Sequence, residues 1–391
     1  MPNKFSDTFL LPRAGKYQNA LNSNARLPFV WGNLEDGNAG NWICPNISST
    51  TFTYCYAGHE IMSASSGNNV VVFSGSSLMN GADYTFSHSN DFESLGNIAT
   101  ITFDNDQKNN VITASGRGIL NSSATPEMKN IIDIIDDFLT SKNSGLAFSY
   151  DTTSKQITSD TFDDQGYRAA GVISQDGVIW DILQKMVGSF LGSAYLASDT
   201  PFFSEDRKLK FEIEIGSSST KVADIIPKAD ISFINGIQRR KSLINQCPIS
   251  FSYDYVSNNF RSHDDGTGNV NSASSGIYGI QEPSTPYQLH WCRDLASATT
   301  VQTTIINKYG KPIWEIEFID ESLERLGIDV GDLIAGTFDW IYDTEGSPLI
   351  NQVIKILSVS PDFVKNVIRF RGIDQQVYLE DSAGNRDLTE Y

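Results

Sequence analysis

The rhythm of apolar and polar positions changes twice along this chain. From Leu27 to about Leu120 the period is two. Asn69-Val70-Val71-Val72-Phe73 runs into Ser74-Gly75, and Ile98-Ala99-Thr100-Ile101-Thr102-Phe103 alternates strictly. Val111-Ile112-Thr113-Ala114-Ser115-Gly116 follows a polar loop at Asp104–Asn110. Short alternating runs bounded by Gly58, Gly75, Gly81 and Gly96 predict a small β sandwich or barrel over residues 27–120. Between 121 and 230 the period lengthens to that of a helix. Ile131, Ile132, Ile134, Ile135, Phe138 and Leu139 build one broad apolar face, with Asp133, Asp136 and Asp137 on the other side, toward solvent. Thr125-Pro126-Glu127 offers an N-cap, a proline for the first turn and an acid for the helix dipole. A second helix is predicted from Ile179 to Leu191, ended by Gly192, and the strand Leu209–Ile215 alternates apolar with charged. Two helices against a small sheet make an α+β module.

The third block, 231–380, returns to strands. Ile249, Phe251, Tyr253 and Tyr255 fall on one face of a predicted strand, while 257–277 is almost all Ser, Asn, Asp, Gly and Thr and reads as a mobile loop. Asp294–Tyr309 is a helix stopped by Gly310 and Pro312. Pro312–Ile319 alternates as a half-buried strand, and Leu326–Ile334 is a tight turn feeding another. Strands at Leu349–Val359 and Asn366–Ile373 are joined by a turn at Ser360-Pro361-Asp362. The predicted fold class is α+β, mainly β: two barrel-like units separated by an α+β module, with an arm at 1–26 and a tail at 381–391.

Composition narrows the function classes. The chain has 391 residues, 40% of them apolar, enough for a core in each of two or three domains. Acids outnumber bases 47 to 29, for a formal charge of −18. That balance opposes nucleic-acid binding through phosphate neutralisation, although an acidic lumen would let DNA slide past without sticking. It equally suits a surface that simply stays soluble. No apolar run approaches the ~18 residues of a membrane span, and the N-terminus has no secretory apolar core, so synthesis and assembly in the cytosol are expected.

Candidate chemistry is sparse. Cys44, Cys55, Cys247 and Cys292 form no Cys-x-x-Cys pair, and His59, His88, His263 and His290 lie at no metal-ligand spacing from them. Cys44 and Cys55 could meet across a hairpin, but free buried thiols are the ordinary outcome in cytosol. Acid pairs recur at Asp104/Asp106, Asp136/Asp137, Asp163/Asp164 and Asp264/Asp265, each in a polar run or on a solvent-facing helix side, which argues for solvated surface over paired catalytic carboxylates. Asp264-Asp265-Gly266-Thr267-Gly268-Asn269 is oxygen-rich but lacks the alternation and terminal Glu of a calcium loop. No nucleophile elbow or phosphate loop occurs. No catalytic residue, metal or cofactor is expected. Bases cluster only at Arg239-Arg240-Lys241, after the turn signal Asn235-Gly236, where they suit a subunit interface with an acidic neighbour. Trp31, Trp42, Tyr54 and Tyr56 would serve either as core or as a sugar-stacking platform.

The order helix, strand, Leu326, Gly331, Leu333-Ile334, closing strands Asn351–Val359 and Asn366–Gly372 resembles the tube-forming domain of bacteriophage tail hub proteins, the family that includes the baseplate hub of T4-type phages. Leu27-Pro28-Phe29-Val30-Trp31-Gly32 followed by Trp42-Ile43-Cys44-Pro45 is similar to the opening of siphophage tail-tip proteins. The resemblance implies a homotrimer in the tail tip of a virion, assembled in the host cytoplasm. Its two tube-type domains per chain would build a ring that joins the sixfold tail tube, or a distal tail protein, to threefold fibre or spike proteins and leaves a channel for DNA exit. A carbohydrate-binding tail adhesin and a cell-wall or capsule glycoside hydrolase are the alternatives.

Overall fold

A computed structural model describes residues 8–9, 24–61, 68–91, 97–107, 110–119, 128–140, 150–198, 207–213, 224–239, 243–342 and 346–378. Among the described residues the fold is α+β and mainly β.

The first β unit packs two antiparallel sheets. One orders Asn46–Ser48, Thr53–Ala57, Asn97–Phe103 and Tyr84–Asp91; the other orders Asn33–Leu34, Ile112–Arg117, Val71–Ser74 and Ser77–Leu78, with Trp42–Ile43 also on Ile112–Arg117. Leu34, Trp42, Tyr54, Tyr56, Val72, Ile101, Phe103 and Ile112 fill the space between. The aromatics Trp31, Trp42, Tyr54 and Tyr56 are all core, 0–4% exposed, so none can stack a sugar. Trp42 is fixed by its indole N–H donating to the Tyr56 carbonyl at 2.9 Å.

The central module carries helices α1 (Ile131–Thr140), α2 (Thr152–Asp164) and α3 (Ile179–Gly188), and a hairpin of Gly192–Ser198 with Arg207–Ile213. The predicted cap at Thr125-Pro126-Glu127 lies outside the described residues; α1 starts at Ile131, with the Asn130 side chain accepting from the Ile132 N–H at 2.9 Å. Asp136 and Asp137 do not face solvent as expected. Asp136 accepts from the Tyr150 hydroxyl and the Lys155 ammonium, and Asp137 from the Trp31 indole at 2.7 Å. Helix α2 buries only Thr158 and Phe162, too thin an apolar stripe to read from sequence, and is started instead by Asp151 accepting from the Thr153 and Ser154 amides. Helix α3 ends at Gly188, not at Gly192. Leu191 takes φ +57°, and Gly192 opens the hairpin because a Cβ there would sit 2.8 Å from the Val187 carbonyl.

The polar stretch 257–277, expected as a mobile loop, holds the strand Asn259–Asp264 and helix α4 (Ser272–Tyr278). Side-chain bonds fix it where apolar burial is scarce: Asn271 caps α4, and Asn269 donates to Gln302 and Thr303. The partner strand Ile249–Asp254 pairs with Asn259–Asp264 in one unbroken antiparallel register, with Ser252 at φ +58°, and its predicted apolar face is divided between two cores. Ile249 and Phe251 enter the central core, while Tyr255 packs on the first β unit. Helix α5 (Leu295–Tyr309), capped by Asp294, sends Ala298, Val301, Ile305 and Ile306 into the central core rather than onto the last sheet. The cores therefore divide the third block between two bodies.

The last body is a half-barrel of six strands in the order Asp224–Ile226, Leu333–Tyr342, Pro348–Asp362, Val367–Tyr378, Ile313–Asp320, Ile231–Arg239. Its outermost strands are consecutive in sequence, linked by a single 3-10 turn at Lys228–Asp230, so the sheet must curl until its edges lie close at that end. Arg325 spans this seam, reaching Asp224 at 2.9 Å, Asp230 at 3.1 Å and the fully buried Asp320 at 3.2 Å. At the other end the Trp314 indole donates to the Tyr342 carbonyl at 3.2 Å. Phe318, Phe338 and Phe370 fill the interior. The predicted turn at Ser360-Pro361-Asp362 is strand; the turn falls at 363–366, where Asn366 takes φ +56°. Pro361 is tolerated because Leu333–Tyr342 pairs this strand only as far as Lys355, leaving its distal part an edge.

Candidate functional site

The strand Phe29–Trp31 leaves the first β unit and pairs with Gly171–Ile173 of the central module. Behind this crossing, where the first unit, the central module and the Ile249–Asp264 hairpin meet, a cleft of ≈ 290 Å³ opens. Gly32 makes the crossing possible: φ is +71°, and a Cβ would lie 2.3 Å from the Ala169 carbonyl.

The lining is polar and its charges are unequally satisfied. Glu35 accepts twice from Arg117, at 3.0 and 3.2 Å, and from the Asn69 amide at 3.0 Å. Asp36 is held by Arg261 and accepts from the Asn38 amide at 2.9 Å. Asp294 is consumed by the cap of α5, accepting from the Ser297 amide and hydroxyl at 2.9 and 2.8 Å. The cations differ. Arg293 donates only to neutral acceptors, the Tyr253 carbonyl at 2.8 Å and the Asn41 side chain at 3.0 Å, and burial pushes its guanidinium down. Lys129 and Arg168 make no ion pair among the described residues. Ser252, in the left-handed region at φ +58°, also lines the cleft.

The residues singled out from sequence are elsewhere. Arg239 ends the outermost strand of the half-barrel opposite Ile313, and Arg240 and Lys241 lie outside the described residues. Asp104, Asp106, Asp163 and Asp164 are exposed, and Asp264 and Asp265 spend their carboxylates on the Gly266 and Thr267 amides of their own turn. The one approach between pairs is on α1, where burial and then the neighbouring Asp163 and Asp136 push Asp133 up, against the pull of Lys155. The four cysteines are buried thiols. His59 is buried, accepts from the Val30 amide at 2.9 Å and is pushed down to about 4 by desolvation. Among the described residues no group of carboxylates, histidines and cysteines is disposed to hold a metal ion, and no helix is long and apolar enough to cross a membrane. Lys129, Arg168, Arg293 and Ser252 gave no sequence signal, since each is isolated along the chain.

No family model matches the chain, and no curated protein matches it. Among solved structures it is similar to the 43 kDa tail protein of prophage MuSo2 from Shewanella oneidensis, at 12% identity and a TM-score of 0.35, covering 76% of this chain and 77% of that one. It is similar to a tail protein from Neisseria meningitidis MC58, at 11% identity and 0.35, covering 80% and 98%. A chain of the p2 virion baseplate in its activated conformation follows at 11% and 0.21, covering 94% and 98%.

Proposed function

We infer that the chain is a structural protein of a bacteriophage tail, a hub at the distal end whose copies close into a trimeric ring around a channel for DNA. The half-barrel carries this reading. Four of its six strands follow α5, and the turn from Leu326 to Ile334 pivots on Gly331 at φ +94°, the element order on which the resemblance to tail hubs rests. Two β bodies flank a helical module, so three chains would supply six tube-type units to match a sixfold tube. Rings of this kind bury self-complementary surface and gain from each added contact. A surplus of 18 negative charges suits a passage through which phosphate slides. Partners on this reading are a tail-tube or distal tail protein on one side and a fibre or spike protein on the other, with Arg239, Arg240 and Lys241 facing an acidic neighbour.

The test is assembly. Light scattering should give three times the protomer mass, and co-expression with a tail-tube protein should give rings in negative-stain images. A strictly monomeric chain that never caps a tube would remove the reading. Reversing the charge of Arg239 and Arg240 should weaken the trimer, and unchanged assembly would dismiss their interface role. Neither alternative gains support: the candidate sugar platform is core, and the acid pairs do not converge in a cleft.

A further inference from the structure

We propose that the cleft behind Gly32 is a carboxylate-binding site, filled by an acidic side chain from a second copy of the chain. Three cations line it, Lys129, Arg168 and Arg293, and among the described residues none has a carboxylate at ion-pair distance. Three carboxylates line it too, but Glu35 is committed to Arg117, Asp36 to Arg261, and Asp294 to the cap of α5. Lys129 and Arg168 thus carry no ion pair among the described residues, and Arg293 feels Asp36 and Asp254 without bonding either. A guanidinium buried against neutral acceptors gains most from an incoming anion, because water no longer screens the attraction. Ser252 is the independent sign. A non-glycine residue in the left-handed region is sparsely populated and clusters at functional sites, and this one lines the cleft with no side-chain hydrogen bond among the described residues.

The lining selects the ligand. With Glu35, Asp36 and Asp294 on the same walls, a dianionic phosphate is repelled where a singly charged, planar carboxylate matches the fork of Arg168 or Arg293. On a chain with 47 acids and 29 bases, a neighbouring copy offers carboxylates in excess. Only this source rests on the assembly reading; the site itself does not.

Acetate is the probe for the site, and sedimentation at low ionic strength reads the source. The melting temperature of the full chain should rise saturably in sodium acetate relative to sodium chloride of equal ionic strength. K129Q/R168Q should need about tenfold more acetate for the same rise. Both side chains reach solvent, so the variant is expected to fold, and S252A supplies a milder second variant with a smaller loss. Self-association of the wild-type chain should weaken by about tenfold in the same double variant. No saturable effect of acetate overturns the site. Phosphate outcompeting acetate overturns the choice of carboxylate. Acetate binding that depends on Lys129 and Arg168 while association is unchanged overturns the second copy in favour of a free small carboxylate. A chain that binds acetate this way but forms no ring sinks the tail reading and leaves the site standing.

Discussion

The first β unit and the half-barrel are both small β bodies beside the same helical module, yet they are joined to it in different ways. The first unit shares its strands. Phe29–Trp31 pairs with Gly171–Ile173, so Val30, Ala170 and Val172 pack into the β core while Phe29 and Trp31 pack into the helical one. The half-barrel keeps its core to itself and meets the module through side chains: Glu212 with Lys355 at 2.7 Å, Lys308 with Gln375 at 3.1 Å, and the Tyr195 ring over Gly331. Interleaved strands couple two cores into one cooperative unit, whereas a polar contact between separate cores leaves each to open on its own. A welded pair fixes its own shape, and a docked barrel can adjust its position.

The largest test of the weld is Trp31→Ala. Trp31 stacks against Phe29, His59, Phe138 and Trp291 with ring centroids 5.8–6.4 Å apart and donates to Asp137, so truncation opens a cavity at the junction of both cores. A loss of about 4 kcal/mol is expected. Hydrogen exchange should accelerate together in 29–117 and 131–190 while 313–378 stays protected. Separate acceleration of one half would mean the shared strands do not couple them.

The matching test on the other side is Arg325→Ala. It leaves Asp320 at 0% exposure without its partner, beside Asp224 and Asp230, and a cost of about 3 kcal/mol is expected. Here the pattern inverts: the half-barrel exchanges early and the first unit keeps its protection.

Acid separates the two bodies without a mutation. His59 has an unfolded value of 6.5 and a folded value of about 4, because burial disfavours the imidazolium and the ring must stay neutral to accept from Val30. A depressed histidine contributes nothing to the pH dependence above 6.5, and stability falls as pH drops from 6.5 toward 4, by up to about 3 kcal/mol. Asp133 and Asp137, both pushed up by burial, act in the opposite sense, favouring the fold as they protonate. Urea midpoints between pH 7 and 4.5 should therefore fall for the welded body, and His59→Gln should flatten that slope. An unchanged slope in the variant would remove His59 as its source.

How much of this was legible depends on whether a feature is local. The half-barrel strands and α5 follow from periodicity and from Asp294 and Gly310, which act within a turn of themselves. Gly331 was visible as a glycine in a turn, but its reason, the Tyr195 ring 2.5 Å from where a Cβ would stand, comes from a hairpin more than a hundred residues away. The same holds for the cleft. Lys129, Arg168 and Arg293 meet only because Phe29–Trp31 crosses to Gly171–Ile173, and an antiparallel pairing of remote strands leaves no mark on either segment beyond its own apolar run. Helix α2 escaped for a different reason: its stability comes from the Asp151 cap and from Ser154 and Thr158 donating to the Phe211 carbonyl, not from an apolar stripe.

The smallest expected effect bears most directly on docking. Lys355→Gln removes the cation that meets Glu212, with side chains 12% and 25% exposed, and about 1 kcal/mol is at stake. The loss is not shared by either core, because Lys355 belongs to neither. What remains around Tyr195 is acidic: Glu212, Asp332, Asp329 and Asp151 already hold its hydroxyl proton in place, on top of burial. The variant should therefore leave the melting of both bodies within a degree or two while small-angle scattering shows the barrel swinging away at low salt, and added salt should restore the compact form by screening the acids. If instead both bodies melt earlier together, the half-barrel is welded like the first unit, and the contrast between the two falls.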